Sequence, residues 1–218
     1  MSSLFSYIPL LAQGTGITIA AWLVAGSISI ALGTMLGIIS SSAVSSKTVI
    51  SLVRIYTFIT KGIPAYVQIL ICYFVLPSLL GINISGFIAA SAALAICSSG
   101  YVTEIVRAGI NAIPTGQWQA CFILGYTMPE TIRHIIAPQA LRIVLPALIG
   151  ELEQLLKSTS LLATIGVIDV TRAGMNIISR ELNPLPVYLT IAGIYLVFSA
   201  LLQICMLYTE RKMHYGDR

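Results

Sequence analysis

The chain has 218 residues, of which 57% are hydrophobic and only 9% are charged, and its mean hydropathy is +0.92. These values exclude an ordinary soluble domain and make the lipid bilayer the relevant solvent. The net charge of +4 comes from basic residues that are scattered singly, so the sequence also excludes the continuous basic surface that nucleic-acid binding requires.

Five apolar stretches follow one another along the chain, and each exceeds the ~20 residues that a membrane-spanning helix needs. We therefore predict an all-α transmembrane fold, a five-helix polytopic bundle that forms a single domain over residues 1–218. The predicted spans cover about residues 14–40, 52–80, 84–107, 131–157 and 186–209. Because five is an odd number, the two termini are expected on opposite sides of the membrane.

The positions of the basic residues indicate which loops face the cytoplasm. The loops that would share one side, together with the C-terminal tail, carry Lys47, Arg54, Arg107, Arg133, Arg211, Lys212 and Arg218. The positive-inside rule assigns that side to the cytoplasm and places the N-terminus outside. Lys157, Arg172 and Arg180, around the last outward loop, oppose this assignment.

Span one contains Gly33 and Gly37 at the spacing of a G-x-x-x-G motif, which permits the close approach of another helix. Two interpretations are open: packing within the subunit, which we favour, and dimerisation.

Spans two and three carry ionisable groups at membrane depth, where such groups are costly and are candidates for function. Gly62 and Pro64 interrupt the backbone of span two, and such breaks usually face protein or a wet cavity. Lys61 and Glu104 could neutralise each other across the bundle, either as a static pair or as an inner gate of a transport path. Gln68 is a further candidate for lining polar space.

The segment between spans three and four, residues 113–138, is too long for a simple turn and predicts a short helix at about 115–124. Pro114 suits the start of this helix, and Gly125 suits the left-handed position that ends it. Thr127 followed by Glu130 fits a capping box, which predicts that span four begins at 128.

This short helix carries Trp118, Phe122 and Leu124 but no charge, so it would expose apolar surface to the cytosol. Such a surface predicts a docked protein partner. The alternative is a helix lying in the lipid interface, but interfacial helices normally carry Lys or Arg on their polar face.

Span four ends with a group of polar residues. Glu153, Gln154 and Lys157 share one helical face, whereas Glu151 points elsewhere. Glu153 and Lys157 stand four residues apart, so one interpretation is a self-neutralising pair. The other is that Glu153 contacts a transported substrate, with Gln154 lining the path.

Motifs along most of the chain carry a resemblance to a known family. The family's cytoplasmic signature is E-A-A, three residues, G, nine residues, I-x-L-P; here it is matched by Gln119-Ala120-Cys121, Gly125, Ile135 and Ala137-Pro138. Further matches follow in the right order at 61–64, 101–109, 113–118, 138–142 and 157–161. By these motifs the chain resembles the membrane subunits of bacterial ATP-binding-cassette (ABC) importers for polar amino acids, of the histidine-permease kind.

The resemblance implies the type I ABC importer permease fold, with a cytoplasmic coupling helix between spans three and four. It implies that the ATPase-coupling residues are Gln119, Ala120, Cys121, Phe122, Gly125 and Tyr126. It further implies three protein partners in the bacterial cytoplasmic membrane system: an ATPase dimer that binds ATP and magnesium, a second permease copy, and an extracytoplasmic amino-acid-binding protein. Gln119 stands where the family has Glu, so docking is expected to depend more on apolar burial than on charge.

The chain itself contains no Gly-Lys dipeptide, so it lacks the Walker A loop and is expected to be neither an enzyme nor a cofactor-binding subunit. The resembling permeases usually show Asn-Gln near positions 150 and 151 and an apolar residue near 153, where this chain has Gly150, Glu151 and Glu153. The extra acid suggests a basic amino acid (arginine, lysine, ornithine or histidine) whose side chain meets Glu153.

Two other classes of membrane protein are possible for a chain of this composition. A secondary transporter or small channel that acts without ATP would show an internal inverted repeat, and none is visible. An assembly subunit of a membrane redox complex would need His ligands or Cys clusters within the spans.

Overall fold

The computed structural model describes residues 6–41 and 46–214, with side chains to residue 211, and all regular structure in these ranges is helical. The helices are α1 (Ile8–Ile39), α2 (Lys47–Gly62), α3 (Ala65–Leu80), α4 (Gly86–Asn111), α5 (Thr115–Ile123), α6 (Met128–Ile165), α7 (Val170–Glu181) and α8 (Pro184–His214). Of these, α1, α4, α6 and α8 are each long and apolar enough to cross a membrane, and α2 with α3 forms a fifth, bent crossing. The predicted five-helix transmembrane bundle is confirmed. The Lys212 side chain and Arg218 lie outside the described residues.

The observed helices differ from the hydropathy-based spans mainly at their ends. Helix α1 begins at Ile8, where the sequence indicated residue 14, and Pro9 provides a favourable first turn. Helix α6 begins at Met128 and continues past 157, finishing in a 3₁₀ segment at Thr159–Ile165 that Gly166 terminates with a φ of 82°. Hydropathy misses these ends because capping residues, not apolar content, determine where a helix stops.

Two of the crossings contain a turn of π-helix, at Ile71–Val75 in α3 and at Ile132–Ile136 in α6. A π-turn accommodates one extra residue, which shifts the angular position of all residues that follow it. The π-turn in α6 begins at Ile132, one helical turn after the start of this helix at Met128.

The core of the bundle is the close packing of α1 on α4. A Cβ at Gly33 would lie 2.5 Å from Cβ of Val102, and one at Gly37 would lie 2.6 Å from Cβ of Val106. Only glycine permits this approach, because any side chain would overlap the facing helix. The G-x-x-x-G motif therefore packs within the subunit, as favoured from the sequence.

The second crossing is not the single helix that hydropathy indicated at 52–80, because α2 and α3 meet at an elbow of 95°. Ile63 is extended, with φ of −92° and ψ of 126°, as expected for a residue that precedes proline. Nε2 of Gln68 donates hydrogen bonds to the carbonyl oxygens of Thr60, at 2.7 Å, and Ile63, at 2.8 Å. This side chain satisfies carbonyl oxygens that the break leaves without a helical N–H donor.

Helix α7 lies between α6 and α8 in the chain and packs on α1 and α8. Asp169 is fully buried and caps α7 by accepting hydrogen bonds from the amides of Thr171, at 3.2 Å, and Arg172, at 2.9 Å. Burial raises the pKa of the Asp169 carboxyl, and the two amides oppose that shift. The cap fixes α7 across one end of the bundle.

Candidate functional site

A polar cavity of about 340 Å³ lies beside the elbow of the second crossing. Its wall includes the elbow residues Ile63, Pro64 and Ala65, so the break in the second crossing borders a cavity. Lys61 at the end of α2 and residues of α4 and α6 supply the rest of the wall. The polar side chains that line the cavity are Lys61, Ser98, Tyr101, Glu151, Gln154 and Ser158.

Glu151 is the carboxylate in this cavity. Its Oε1 accepts a hydrogen bond from the Ser98 hydroxyl at 2.7 Å, and it forms no ion pair with any residue that the structure describes. The indole Nε1 of Trp22 donates to the neighbouring Leu152 carbonyl at 2.8 Å, which fixes this turn of α6 against α1. The carboxyl group is thus held in place without an ion-pair partner among the described residues, which makes it a candidate for function at membrane depth.

Lys61 is the cation in the same cavity. It occupies the last turn of α2, where the helix dipole favours a positive charge, and its Nζ lies 5.2 Å from the ring centroid of Tyr101. Lys61 also lines a second cavity, of about 490 Å³, with Arg54, Thr57, Glu104 and Arg107. The two cavities therefore meet at this side chain.

Glu104 already has partners. It forms an ion pair with Arg107, three residues on in α4, and accepts a hydrogen bond from the Thr57 hydroxyl at 3.1 Å. Lys61 and Glu104 line the same cavity, but the structure shows no ion pair between them, which speaks against the static-pair interpretation. An inner-gate role for these two residues stays a prediction.

Glu153 faces helix α8 and is not part of the cavity wall. It accepts a hydrogen bond from Lys157 at 2.6 Å and a longer one from Gln203 at 3.3 Å. The pair with Lys157 is thus formed, and contact of Glu153 with a substrate stays a prediction. Of the other predicted path residues, Gln154 lines the cavity and Gln68 lies buried behind the elbow.

Sequence reasoning did not select Glu151, although a signal for it exists. Glu151, Gln154 and Ser158 recur at the i, i+3, i+7 spacing of one helical face, and Ser98 and Tyr101 form a similar stripe on α4. Two facing polar stripes in apolar helices indicate a cavity between them, whereas a single helix gave no reason to prefer Glu151 over Glu153.

The helix α5 presents apolar side chains to its surroundings. Trp118 packs against the base of α4 and α6, and Cys121 is buried. By contrast, Phe122, Ile123 and Leu124 are exposed by 54%, 85% and 74%. Helix α5 is therefore anchored on one side and unpartnered on the other, as the docking interpretation requires.

Local hydrogen bonds define both ends of the loop after α5. Gly125 has a φ of 78°, its amide bonds to the Phe122 carbonyl at 3.1 Å, and the Tyr126 amide bonds to the Cys121 carbonyl at 3.0 Å. This is the Schellman arrangement expected of a glycine stop. The Glu130 carboxylate accepts from the Thr127 amide at 2.8 Å and from the Thr127 hydroxyl at 2.6 Å, so the carboxylate half of the predicted capping box is present.

The coupling residues expected from the resemblance divide by exposure. Cys121 is buried, while the rest of the set is exposed: Gln119, Ala120, Phe122, Gly125 and Tyr126. Within the described ranges, no group of three His, Cys, Asp or Glu side chains is arranged to hold a metal ion.

Comparison with known proteins agrees with this geometry. Residues 29–215 match the family described as binding-protein-dependent transport system inner membrane component. The chain belongs to that family. The permease is 34% identical over 99% of its length to the arginine transport system permease protein ArtQ of Bacillus subtilis, covering 98% of that protein. It is 32% identical over 97% of its length to the glutamine transport system permease protein GlnP of Escherichia coli K12, covering 96% of it.

A solved structure supports the fold directly. The crystal structure of an amino acid ABC transporter with histidines superimposes on the permease with a TM-score of 0.87, at 34% sequence identity, over 96% of this chain and 97% of that one. The permease therefore has the type I ABC importer permease fold that its motifs implied.

Proposed function

We propose that this permease forms the translocation path of an ATP-driven importer of basic amino acids. The observation that carries the proposal is the cavity beside the elbow, where Glu151 presents a carboxylate that has no ion-pair partner in the described part of the chain. A guanidinium or ammonium group of a substrate would neutralise that carboxylate, and the hydroxyl and amide groups of Ser98 and Gln154 suit the remaining polar groups of an amino acid. The arginine system of Bacillus subtilis is among the relatives that support this substrate class.

The energy source in this proposal is a separate ATPase dimer that binds ATP and magnesium. It docks on the exposed apolar side of α5, and closure of the dimer moves α6 through the short, capped connection at 124–128. This places α5 in the cytoplasm, α7 and the N-terminus outside, and α7 where an extracytoplasmic binding protein would deliver substrate. A second permease copy, identical or similar, completes the path in the bacterial cytoplasmic membrane.

Substitution of the two neighbouring carboxylates tests the substrate site. Uptake of labelled arginine into proteoliposomes that hold the whole importer is expected to fall at least about tenfold for Glu151→Gln, because the cation then loses its counter-charge. Glu153→Gln is the matched control, and it should retain uptake within about twofold because Lys157 and Gln203 already engage Glu153.

The outcome distinguishes the two carboxylates. Loss of uptake in Glu153→Gln with full uptake in Glu151→Gln would show that Glu153, and not Glu151, contacts the substrate. Uptake that persists without ATP would instead support the secondary-transporter class.

A further inference from the structure

The cavity beside the elbow contains two opposite charges that are not paired with each other. Among the described residues, Glu151 is hydrogen-bonded only to the Ser98 hydroxyl, and the ammonium of Lys61 lies over the Tyr101 ring. Lys61 is the sole cation, and Glu151 the sole carboxylate, among the described residues that line this cavity. At membrane depth an isolated charge is costly, so an arrangement that leaves both unpaired is poised to change.

Lys61 can move between two environments. Its side chain has a flexible four-carbon stem, it stands at the end of α2 next to Gly62, and a Cβ added at Gly62 would meet no atom within 4 Å. Lys61 lines both cavities, so its flexible stem gives the ammonium access to the Glu151 side and to the Glu104 side.

The two environments are not equivalent. In the second cavity, the only carboxylate among the described lining residues is Glu104, which is already paired with Arg107, and Arg54 adds a further positive charge. The ammonium of Lys61 is therefore weakly attracted there. In the first cavity, no other cation among the described lining residues competes for Glu151, so without substrate the ammonium of Lys61 is attracted to Glu151.

We propose that Lys61 is a tethered substitute for the cationic group of the substrate: from its position over the Tyr101 ring the ammonium reaches Glu151 before substrate binds, and the arriving side chain displaces it toward Glu104. This inference rests on the proposed function, since it requires that Glu151 receives a cation. When the substrate leaves, the positive surroundings on the Glu104 side return Lys61 to Glu151. The cavity thus stays electrically neutral in both states.

Competition by a tethered cation lowers the apparent affinity for a cationic ligand, because only the fraction of molecules with a free Glu151 binds it. Removing the Lys61 charge should therefore tighten arginine binding. A neutral ligand of the same shape does not compete for Glu151, so its affinity should not rise. If Lys61 instead held the substrate carboxylate, its removal would weaken both ligands.

The test is equilibrium binding of labelled arginine, and of citrulline as its neutral isostere, to the importer purified through a tag on this chain. Lys61→Gln should lower the Kd for arginine by about five- to tenfold and leave citrulline unchanged or weaker. Lys61→Arg, which keeps the charge, should behave like the original chain. Glu151→Gln, alone or with Lys61→Gln, should abolish the tight arginine binding.

The results separate two failures. If Glu151→Gln weakens arginine binding but Lys61→Gln leaves it equal or weaker, the tethered-cation proposal is wrong while the substrate site stands. If Glu151→Gln has no effect, the proposed substrate site itself is wrong. Should Lys61→Gln not fold, the exchange Lys61→Glu with Glu151→Lys preserves the neutral pair and is expected to bind glutamate in place of arginine; retained arginine binding would overturn the proposal.

Discussion

The chain uses the same two-residue break twice, with different consequences. Ile63-Pro64 opens the elbow between α2 and α3, and Ile113-Pro114 precedes α5. Both prolines have φ of −55° and ψ of 137°, and both carbonyls accept the first hydrogen bond of the following helix, from Gln68 and Gln117. The local geometry is therefore set by the Ile-Pro sequence in both places.

What differs is how each break satisfies its backbone. At the elbow, which lies at membrane depth, the Gln68 side chain reaches back to carbonyls five and eight residues earlier. At the break before α5, the Ile113 amide donates to the Ile110 carbonyl at 3.3 Å, three residues earlier, and residues 114–117 are exposed. A break in the bilayer needs a dedicated buried partner, whereas a break outside it needs only local caps.

Removing the buried partner should have the largest effect on stability. Gln68→Leu leaves the carbonyls of Thr60 and Ile63 without a donor and is expected to lower the free energy of unfolding by about 2–4 kcal/mol. Thermal unfolding of the detergent-purified permease measures this. Gln203→Leu, at an exposed position, is the matched control and should change the free energy of unfolding by less than about 0.5 kcal/mol. Equal stability of the two variants would contradict the proposed role of Gln68.

The exposed side of α5 should contribute to binding of the proposed ATPase rather than to folding of the permease. Ile123→Asp places a charge in the proposed docking surface and is expected to weaken ATPase binding by about 30-fold or more, with an unchanged unfolding temperature of the permease. Leu182→Asp is the matched control, because Leu182 is 84% exposed and Ile123 is 85% exposed, but Leu182 lies at the end of α7. Titration of the ATPase against each variant measures the affinity. Equal losses for both would show that α5 is not the docking helix.

The cap at Thr127, between α5 and α6, should contribute modestly to the free energy of unfolding. Thr127→Ala removes the hydroxyl bonded to Glu130 and is expected to cost about 1 kcal/mol of stability. Thr115→Ala, in the first turn of α5 where no side-chain cap is formed, is expected to cost nothing measurable. A cost for Thr115→Ala as large as that for Thr127→Ala would show that the cap is not the cause.

The smallest effect concerns salt. Because Gln119 replaces the acid of the family signature, raising the ionic strength from about 0.05 to 0.5 M should change the ATPase affinity by less than about threefold. Gln119→Glu should make the affinity more dependent on salt. A strong salt dependence in the unchanged chain would show that other charges carry the docking.

The parts of the molecule that sequence could predict are those that local chemistry determines. The bounds of α5 followed from Pro114 and Gly125, and the start of α6 followed from Thr127 and Glu130. The cavity could not be predicted in this way, because it depends on which face of α6 meets α4. Lys61 and Glu104 were considered as a mutually neutralising pair, but Glu104 pairs with Arg107, three residues away on the same helix. Long-range contacts of this kind leave no local pattern.

The π-turn at Ile132–Ile136 has a consequence for how the permease can change by insertion or deletion. Each residue of a regular helix adds about 100° of rotation, and the π-turn absorbs one extra residue between the docking end of α6 and the turn that carries Glu151. Deleting one residue within 132–136 would remove the extra residue and restore a regular α-helix, so Glu151 would keep its angle to the docking end of α6 and would still face the cavity. Deleting one residue from the regular helix between 138 and 150 would instead turn Glu151 by about 100° away from the cavity, so that variant would still bind the ATPase through α5 but would present different side chains to the substrate.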